Sequence, residues 1–461
     1  MTSKLPMPVR LDLNLVAPLA HKATAIHTTD TTAPAPARSC AVTPLIGQQG
    51  HPQGDVDRAH RRSTRPTTPG IRTSTTATRT STTRTVSSEP CPSADSDPCS
   101  IADLVQAWLD CRRHKRHTNS AQRFEDRLER NLVDLHEELC SGQYRPGRSI
   151  CFVITRPKVR EVWAADFRDR IVHHLLYNRI APRFIARFDA GSCACIPGRG
   201  TLYAAKRVEA GVRAITQNWQ HPAFYLKMDL ANFFVAIDKH VLHRQLARHV
   251  AEPWWMQLAT TILMHDPRTN VDVRGSAALL ARVPPHKSLF NAPAHTGLPI
   301  GNLSSQFFAN VLLNDLDQFV KHQVRARHYT RYVDDFVLLH ESAQWLNDAR
   351  QRIEAWLPEK LHAHVNPRKT ILQPVERGVD MVGQVIKPWR RTTRPRTLRT
   401  ALQRLATMPA GEVFEAGNSY LGLVRQASHS HADQARIARL LLDRGHAVAG
   451  DLSKIYRRSG P

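Results

Sequence analysis

Apolar positions are spread unevenly along the chain. Up to about residue 98, large apolar side chains are few and follow no period. Beyond residue 100, Ile101, Leu104, Val105, Trp108 and Leu109 recur at helical spacing, as do Phe124, Leu128, Leu132, Leu135 and Leu139. Gly142 and Pro146 then mark a turn. The apolar run 150–154 predicts a strand, and 166–187 a helix opened by Asp166 as its cap. Further along, the pattern predicts a strand at 224–229, a long helix at 303–323, a hairpin at 331–339 and helices from 398 to 458. Helices and strands mix without a βα repeat and without any internal repeat, which predicts an α+β fold.

Composition sharpens the division at residue 98. Residues 63–86 include 11 Thr among Arg and Pro. Too little apolar surface is available there to offset the entropy of ordering, so residues 1–98 are expected to be a disordered, low-complexity region. The chain carries 64 Lys and Arg against 40 Asp and Glu, a net charge of +24. Residues 1–98 hold only 11 of the basic and 7 of the acidic residues, so the charge belongs chiefly to the part expected to fold. Such an excess points to a polyanion. With no uninterrupted apolar run of membrane-spanning length, nucleic acid is favoured over a membrane. No secretory signal pattern precedes the folded part, which favours the cytoplasm. Eight scattered cysteines are read as free thiols in a reducing compartment; Cys193-x-Cys195 lacks the second pair of a zinc site. His362-x-His364 and His429-x-His431 read as surface residues.

The candidate chemistry lies in two acidic motifs. Tyr332-Val333-Asp334-Asp335-Phe336 sets adjacent carboxylates in an apolar, strand-prone run. Such a pair resists burial unless a cation neutralises it, although an exposed hairpin turn would also explain it. Asp229 ends the run Tyr225–Asp229 and precedes Phe233-Phe234; taken alone, a helix-capping aspartate would explain it as well. Carboxylates from separate strands are the means by which two Mg²⁺ ions are held for phosphoryl transfer. Hard oxygen ligands suit Mg²⁺, with Mn²⁺ as a substitute.

With both motifs in order, the chain resembles reverse transcriptases of the bacterial group II intron-like branch across roughly residues 120–450. The resemblance implies a right-hand polymerase. It places N-terminal helices and fingers at 99–223, a palm at 224–388 and a helical thumb at 389–461. It implies Asp229, Asp334 and Asp335 as catalytic residues, with Asp229, Leu230, Asp334 and Asp335 at the metals. Phe234 matches the steric gate that selects deoxynucleotides. Lys158 and Arg160, in Pro157-Lys158-Val159-Arg160-Glu161, match a fingers strand that meets the incoming triphosphate. Lys369, in Asn366-Pro367-Arg368-Lys369-Thr370, is either a proton donor to pyrophosphate or a surface lysine. Arg170, Arg199, Tyr332 and Gly383 match positions near template, primer or phosphate.

Gly297-Leu298-Pro299-Ile300-Gly301-Asn302 departs from the usual Gln-Gly box, and Ser305-Gln306 from the usual Ser-Pro. Ile300, Gly301 and Gln306 in this variant resemble diversity-generating retroelement enzymes and related uncharacterised and defence-associated groups. Loss of the amide implies relaxed base selection. The implied partners are an RNA template, a DNA or RNA primer and dNTPs, with an accessory protein or structured non-coding RNA possible in principle. A template-independent or DNA-copying polymerase of the same fold, or a non-catalytic intron RNA-binding scaffold, remains open. Residues 265–295 read as an insertion without an assigned role.

Overall fold

The computed structural model describes residues 97–457 apart from 114 and 157. Most of the region expected to be disordered, with Cys40 and Cys91, therefore lies outside the described residues, as does Pro157 of the fingers motif.

Helix α1 (Ile101–Arg112) opens at a capping box. Ser100 Oγ accepts from the Asp103 amide and the Asp103 carboxylate accepts from the Ser100 amide, each at 3.1 Å. The apolar series 124–139 forms two helices, α2 (Asn119–Glu125) and α3 (Leu128–Cys140), because Arg127 leaves helical geometry at φ −135°. Strands β1 (Ser149–Ile154) and β2 (Arg160–Ala164) pair antiparallel. Helix α4 (Phe167–Ile185) follows, its Asp166 cap accepting from the Arg168 amide at 3.0 Å as expected. Then comes α5 (Thr201–Ile215).

The centre of the chain runs through β3 (Phe224–Asp229), α6 (Phe233–Ala236), α7 (Lys239–Ala247) and α8 (Pro253–Met264). It continues through β4 (Val271–Arg274), α9 (Ala277–Leu280) and α10 (Leu303–Gln318), the last extended by a π turn to Gln323. Strands β5 (His328–Tyr332) and β6 (Asp335–His340), helix α11 (Ala343–Leu361) and strand β7 (Ile371–Pro374) complete it. A four-stranded antiparallel sheet results, in the order β5-β6-β3-β7. Alternate residues face opposite sides of it. Leu226, Met228, Phe336 and Leu338 share the core that holds Leu346 and Ile353 of α11. Tyr225, Val337 and Leu339 pack instead with Ala204, Val208 and Val212 of α5.

The unexplained 265–295 stretch is part of the first sheet. Its β4 lies parallel to β1, giving the order β2-β1-β4. Buried Glu161 of β2 anchors the rest, accepting from Ser288 Oγ, from the Leu289 amide at 2.9 Å and from Trp163 Nε1 at 3.2 Å.

Beyond β7, strands β8 (Val379–Met381), β9 (Gln384–Lys387) and β10 (Arg390–Thr393) form a separate sheet. Helices α12 (Pro395–Thr407), α13 (Ala410–Val424) and α14 (His431–Asp443) enclose their own core around Leu398, Leu405, Leu421, Ile437 and Leu441. The expected helical run to 458 is corrected at its end. Strands β11 (His446–Val448) and β12 (Ile455–Arg457) form a hairpin, and Ile455 closes the helical core.

Candidate active site

The two acidic motifs meet at the ends of adjacent strands. Asp229 is the last residue of β3 and pairs in register with Asp335, the first of β6. Tyr332 and Asp335 bracket a two-residue turn, Val333-Asp334. The Leu230 amide donates to the Asp334 carbonyl at 3.2 Å, tying this turn to the end of β3. On the other side, the Asn366 amide donates to the Asp229 carbonyl at 2.7 Å. That bond brings in the short 3₁₀ turn Pro367–Lys369, whose Lys369 Nζ lies 2.6 Å from Asp229 Oδ1.

Three carboxylates in one place repel one another. Burial, with the charges of Asp229 and Asp335, pushes Asp334 up to about 6. Burial and the hydrogen-bonded Asp229 also raise Asp335, against the opposing charge of Lys227. An oxygen-rich, strained set of this kind fits a hard divalent cation, which favours the ionised forms.

Cations surround the carboxylates. Partial burial and the neighbouring Lys369, Arg160 and Lys287 hold Lys158 below the ordinary lysine range, while Asp229 opposes the shift. Lys158 of the fingers motif therefore lies within electrostatic reach of Lys369 in the 366–370 loop and of Lys287 in the 265–295 stretch. Lys287 and Lys227 were missed by sequence reading. Lys287 follows the rigid Pro284-Pro285 step in a stretch that carried no motif.

The turn itself is strained. Val333 has φ +56°, a conformation costly for a β-branched residue. Beneath it, Arg331 and Asp317 form a fully buried ion pair. Arg331 Nε and Nη2 donate to Asp317 Oδ1 and Oδ2, each at 2.7 Å. Nη2 also donates to Ser192 Oγ at 2.7 Å, and Nη1 to the Val333 carbonyl at 3.1 Å. Tyr329 Oη donates to Asp317 Oδ1 at 2.7 Å. Sequence reading missed this network, since neither residue stands out without its partner.

The 297–302 loop joins the two sheets. The Gly297 and Leu298 amides donate to the Ile237 and Phe234 carbonyls, each at 2.8 Å. On the far side the Trp163 amide donates to the Ile300 carbonyl at 2.7 Å, and the Ala165 amide to Asn302 Oδ1 at 3.0 Å. Gly301 has φ +131°, and a Cβ there would lie 2.6 Å from the Trp163 carbonyl, so glycine is required. Phe234 is half-buried in α6 against Phe233, and Gln306 half-buried in the first turn of α10.

The remaining sequence-predicted positions are engaged by other groups. Arg170 Nε donates to the Ala165 carbonyl at 2.7 Å, and burial lowers its pKa. Arg199 Nη1 donates to the Asp189 and Ser192 carbonyls, each at 2.7 Å. Tyr332 is buried beside Cys193 and Cys195. Gly383 sits in the β8–β9 turn at φ +84°, with open space where a Cβ would be.

Residues 155–386 match the family described as reverse transcriptase (RNA-dependent DNA polymerase), and the chain belongs to that family. Its α+β architecture is that of a right-hand polymerase. Among curated proteins it is similar to protein YkfC of Escherichia coli (strain K12), with 23% identity over 317 residues, 61% of this chain and 76% of that protein. Among solved structures it is similar to an apo telomerase from Candida tropicalis truncated from its C-terminal domain (13% identity, TM-score 0.38, 53% of this chain and 54% of that one). It is also similar to a Candida albicans telomerase in complex with a TWJ fragment of telomeric RNA (11% identity, TM-score 0.36, 65% and 63%). The chain spans less than two thirds of either telomerase. Among the described residues, no helix is long and apolar enough to cross a membrane.

Proposed function

We propose that the chain copies RNA into DNA, extending a primer with deoxynucleotides at the Asp229, Asp334 and Asp335 strand ends. The observation that carries this reading is the register pairing of Asp229 with Asp335 beside a patch of Lys158, Arg160, Lys287 and Lys369. Carboxylates for metal and cations for triphosphate then lie on the same surface.

In this reading Asp229, Asp334 and Asp335, with the Leu230 backbone, hold two Mg²⁺ ions, or Mn²⁺ in their place. Bound there, such ions would supply activation of the primer 3′-hydroxyl and neutralisation of charge on the leaving pyrophosphate. Lys158, Arg160 and Lys287 orient the triphosphate, and Lys369, held at Asp229, delivers a proton to the departing pyrophosphate. Phe234 excludes a ribose 2′-hydroxyl. Ile300, Gly301 and Gln306 border the nascent base pair, where the loss of an amide relaxes base selection. Tyr332 and Gly383 are assigned to the primer–template duplex. Arg170 and Arg199 act on it through the backbone they hold. The fingers then span 99–223 with the N-terminal helices, the palm 224–388 and the thumb 389–461. The Ile300-Gly301 and Ser305-Gln306 variants favour a bacterial retroelement or antiviral defence setting, with a structured RNA or accessory protein as partner.

Primer extension on an RNA template with dNTPs and Mg²⁺ tests the reading. Asp335→Asn is expected to lower the rate by on the order of a thousandfold or more while leaving RNA binding intact. Equal extension without template would favour a template-independent enzyme. RNA binding with no extension by the native chain would favour a non-catalytic scaffold.

A further inference from the structure

Far along the chain from the aspartates, Cys99 precedes α1, and His136 and Cys140 lie one turn apart on α3. The ligand atoms of these three residues all lie within 4.8 Å of one another. Cys140 Sγ is 3.5 Å from His136 Nε2. Zinc–sulfur and zinc–nitrogen bonds of about 2.3 and 2.0 Å at a tetrahedral angle require a separation of about 3.5 Å. Asp97 Oδ2 lies 3.9 Å from the same nitrogen but outside that group of three, and rotation of its 62% exposed side chain would bring in a fourth donor.

We propose that Asp97, Cys99, His136 and Cys140 bind one zinc ion that fastens the segment before α1 to α3. Two sulfurs, an imidazole and a carboxylate make a donor set for Zn²⁺ and a poor one for Mg²⁺, so this centre is chemically separate from the aspartates. The backbone already supports it. The Ser100 capping box fixes the residue after Cys99, and helical i, i+4 spacing aligns His136 with Cys140. Cys99 is buried, and the His136 side chain is only 16% exposed. His136 Nε2 lies 2.8 Å from the Cys99 carbonyl. Zinc takes over Nε2, which leaves the ring proton on Nδ1, and the two thiols release their protons as they become ligands. The sequence hid the arrangement because Cys99 is separated from His136-x-x-x-Cys140 by the whole of α1, α2 and most of α3, without a Cys-x-x-Cys pair.

The full chain, purified in reducing buffer without chelator, is expected to carry about one zinc ion by elemental analysis. Zinc content should fall roughly tenfold or more in Cys99→Ser and Cys140→Ser, and persist in the control Cys111→Ser. Cobalt(II) added to the zinc-depleted native chain should give a thiolate charge-transfer band and tetrahedral d–d absorption, a readout that needs no variant. A native chain that takes up neither zinc nor cobalt at this stoichiometry would overturn the proposal. So would undiminished zinc in the Cys99→Ser, Cys140→Ser double variant, or a Cys99–Cys140 disulfide in its place.

Discussion

Two tight hairpin turns in this chain begin with the same residue in the same unfavourable conformation. Val333 opens the β5–β6 turn at φ +56°, and Val382 opens the β8–β9 turn at φ +46°. At the second turn, Gly383 follows in open space, its carbonyl accepts from the Arg394 amide at 3.0 Å, and the accompanying Arg394–Asp380 pair is partly exposed. At the first turn the following residue is Asp334, which burial and two neighbouring carboxylates resist. That turn is held from beneath by the buried Arg331–Asp317 pair and its bond to the Val333 carbonyl. The difference shows where a fold needs a buried polar network. A strained turn that glycine can relax needs little, whereas one obliged to present charge needs an over-determined support.

Removing one member of each arginine–aspartate pair should separate the two turns most widely. Arg331→Met leaves a buried carboxylate unpaired and is expected to cost about 3–5 kcal/mol in denaturant unfolding. Arg394→Met should cost no more than about 1 kcal/mol. Equal losses would mean that the buried network does nothing special for the first turn.

A smaller effect of opposite sign is expected from Asp334→Asn. The folded chain holds a proton on Asp334 up to about pH 6, above the ordinary aspartate range. Its contribution to stability is therefore present at low pH and lost as pH rises through about 6. In metal-free buffer at pH 8 the asparagine variant should thus be more stable than the native chain, by on the order of 2 kcal/mol, without extending primers. The gain should shrink at pH 5, and Mg²⁺ should raise Tm only in the native chain. A variant less stable at pH 8 would remove the electrostatic account of this turn.

A loss as small as that of Arg394→Met should follow from Gly383→Ala, about 1 kcal/mol for placing a Cβ at positive φ where nothing obstructs it. A larger loss of primer extension than of stability there would show that this second turn, too, meets the nucleic acid.

Much of this was legible in the sequence, for reasons that differ by element. The strand at 224–229 and the hairpin around Asp334 were readable because alternation and adjacent acids are local signals. The Asp166 cap was readable for the same reason. Strand β4 was not, since its partner β1 lies far back in the chain and parallel pairing leaves no turn signature. The closing hairpin β11–β12 was lost in a helical pattern because its strands are three residues each. Arg170 and Arg199 stood out because their segments resemble family motifs, whereas the backbone carbonyls that engage them carry no sequence signal. Lys369 was ambiguous until the Asn366–Asp229 bond brought its loop to the site.

The 297–302 loop has a mechanical consequence. Hydrogen-bonded to the β3–α7 connection at one end and to β2 at the other, it acts as a rivet between the two sheets. Swinging β2 away from Asp229 would shear those bonds together and pull Gly301 off the strand it touches. An opening stroke that carried β2 away from the β3–α7 connection would therefore have to break those bonds first, which favours a hinge elsewhere.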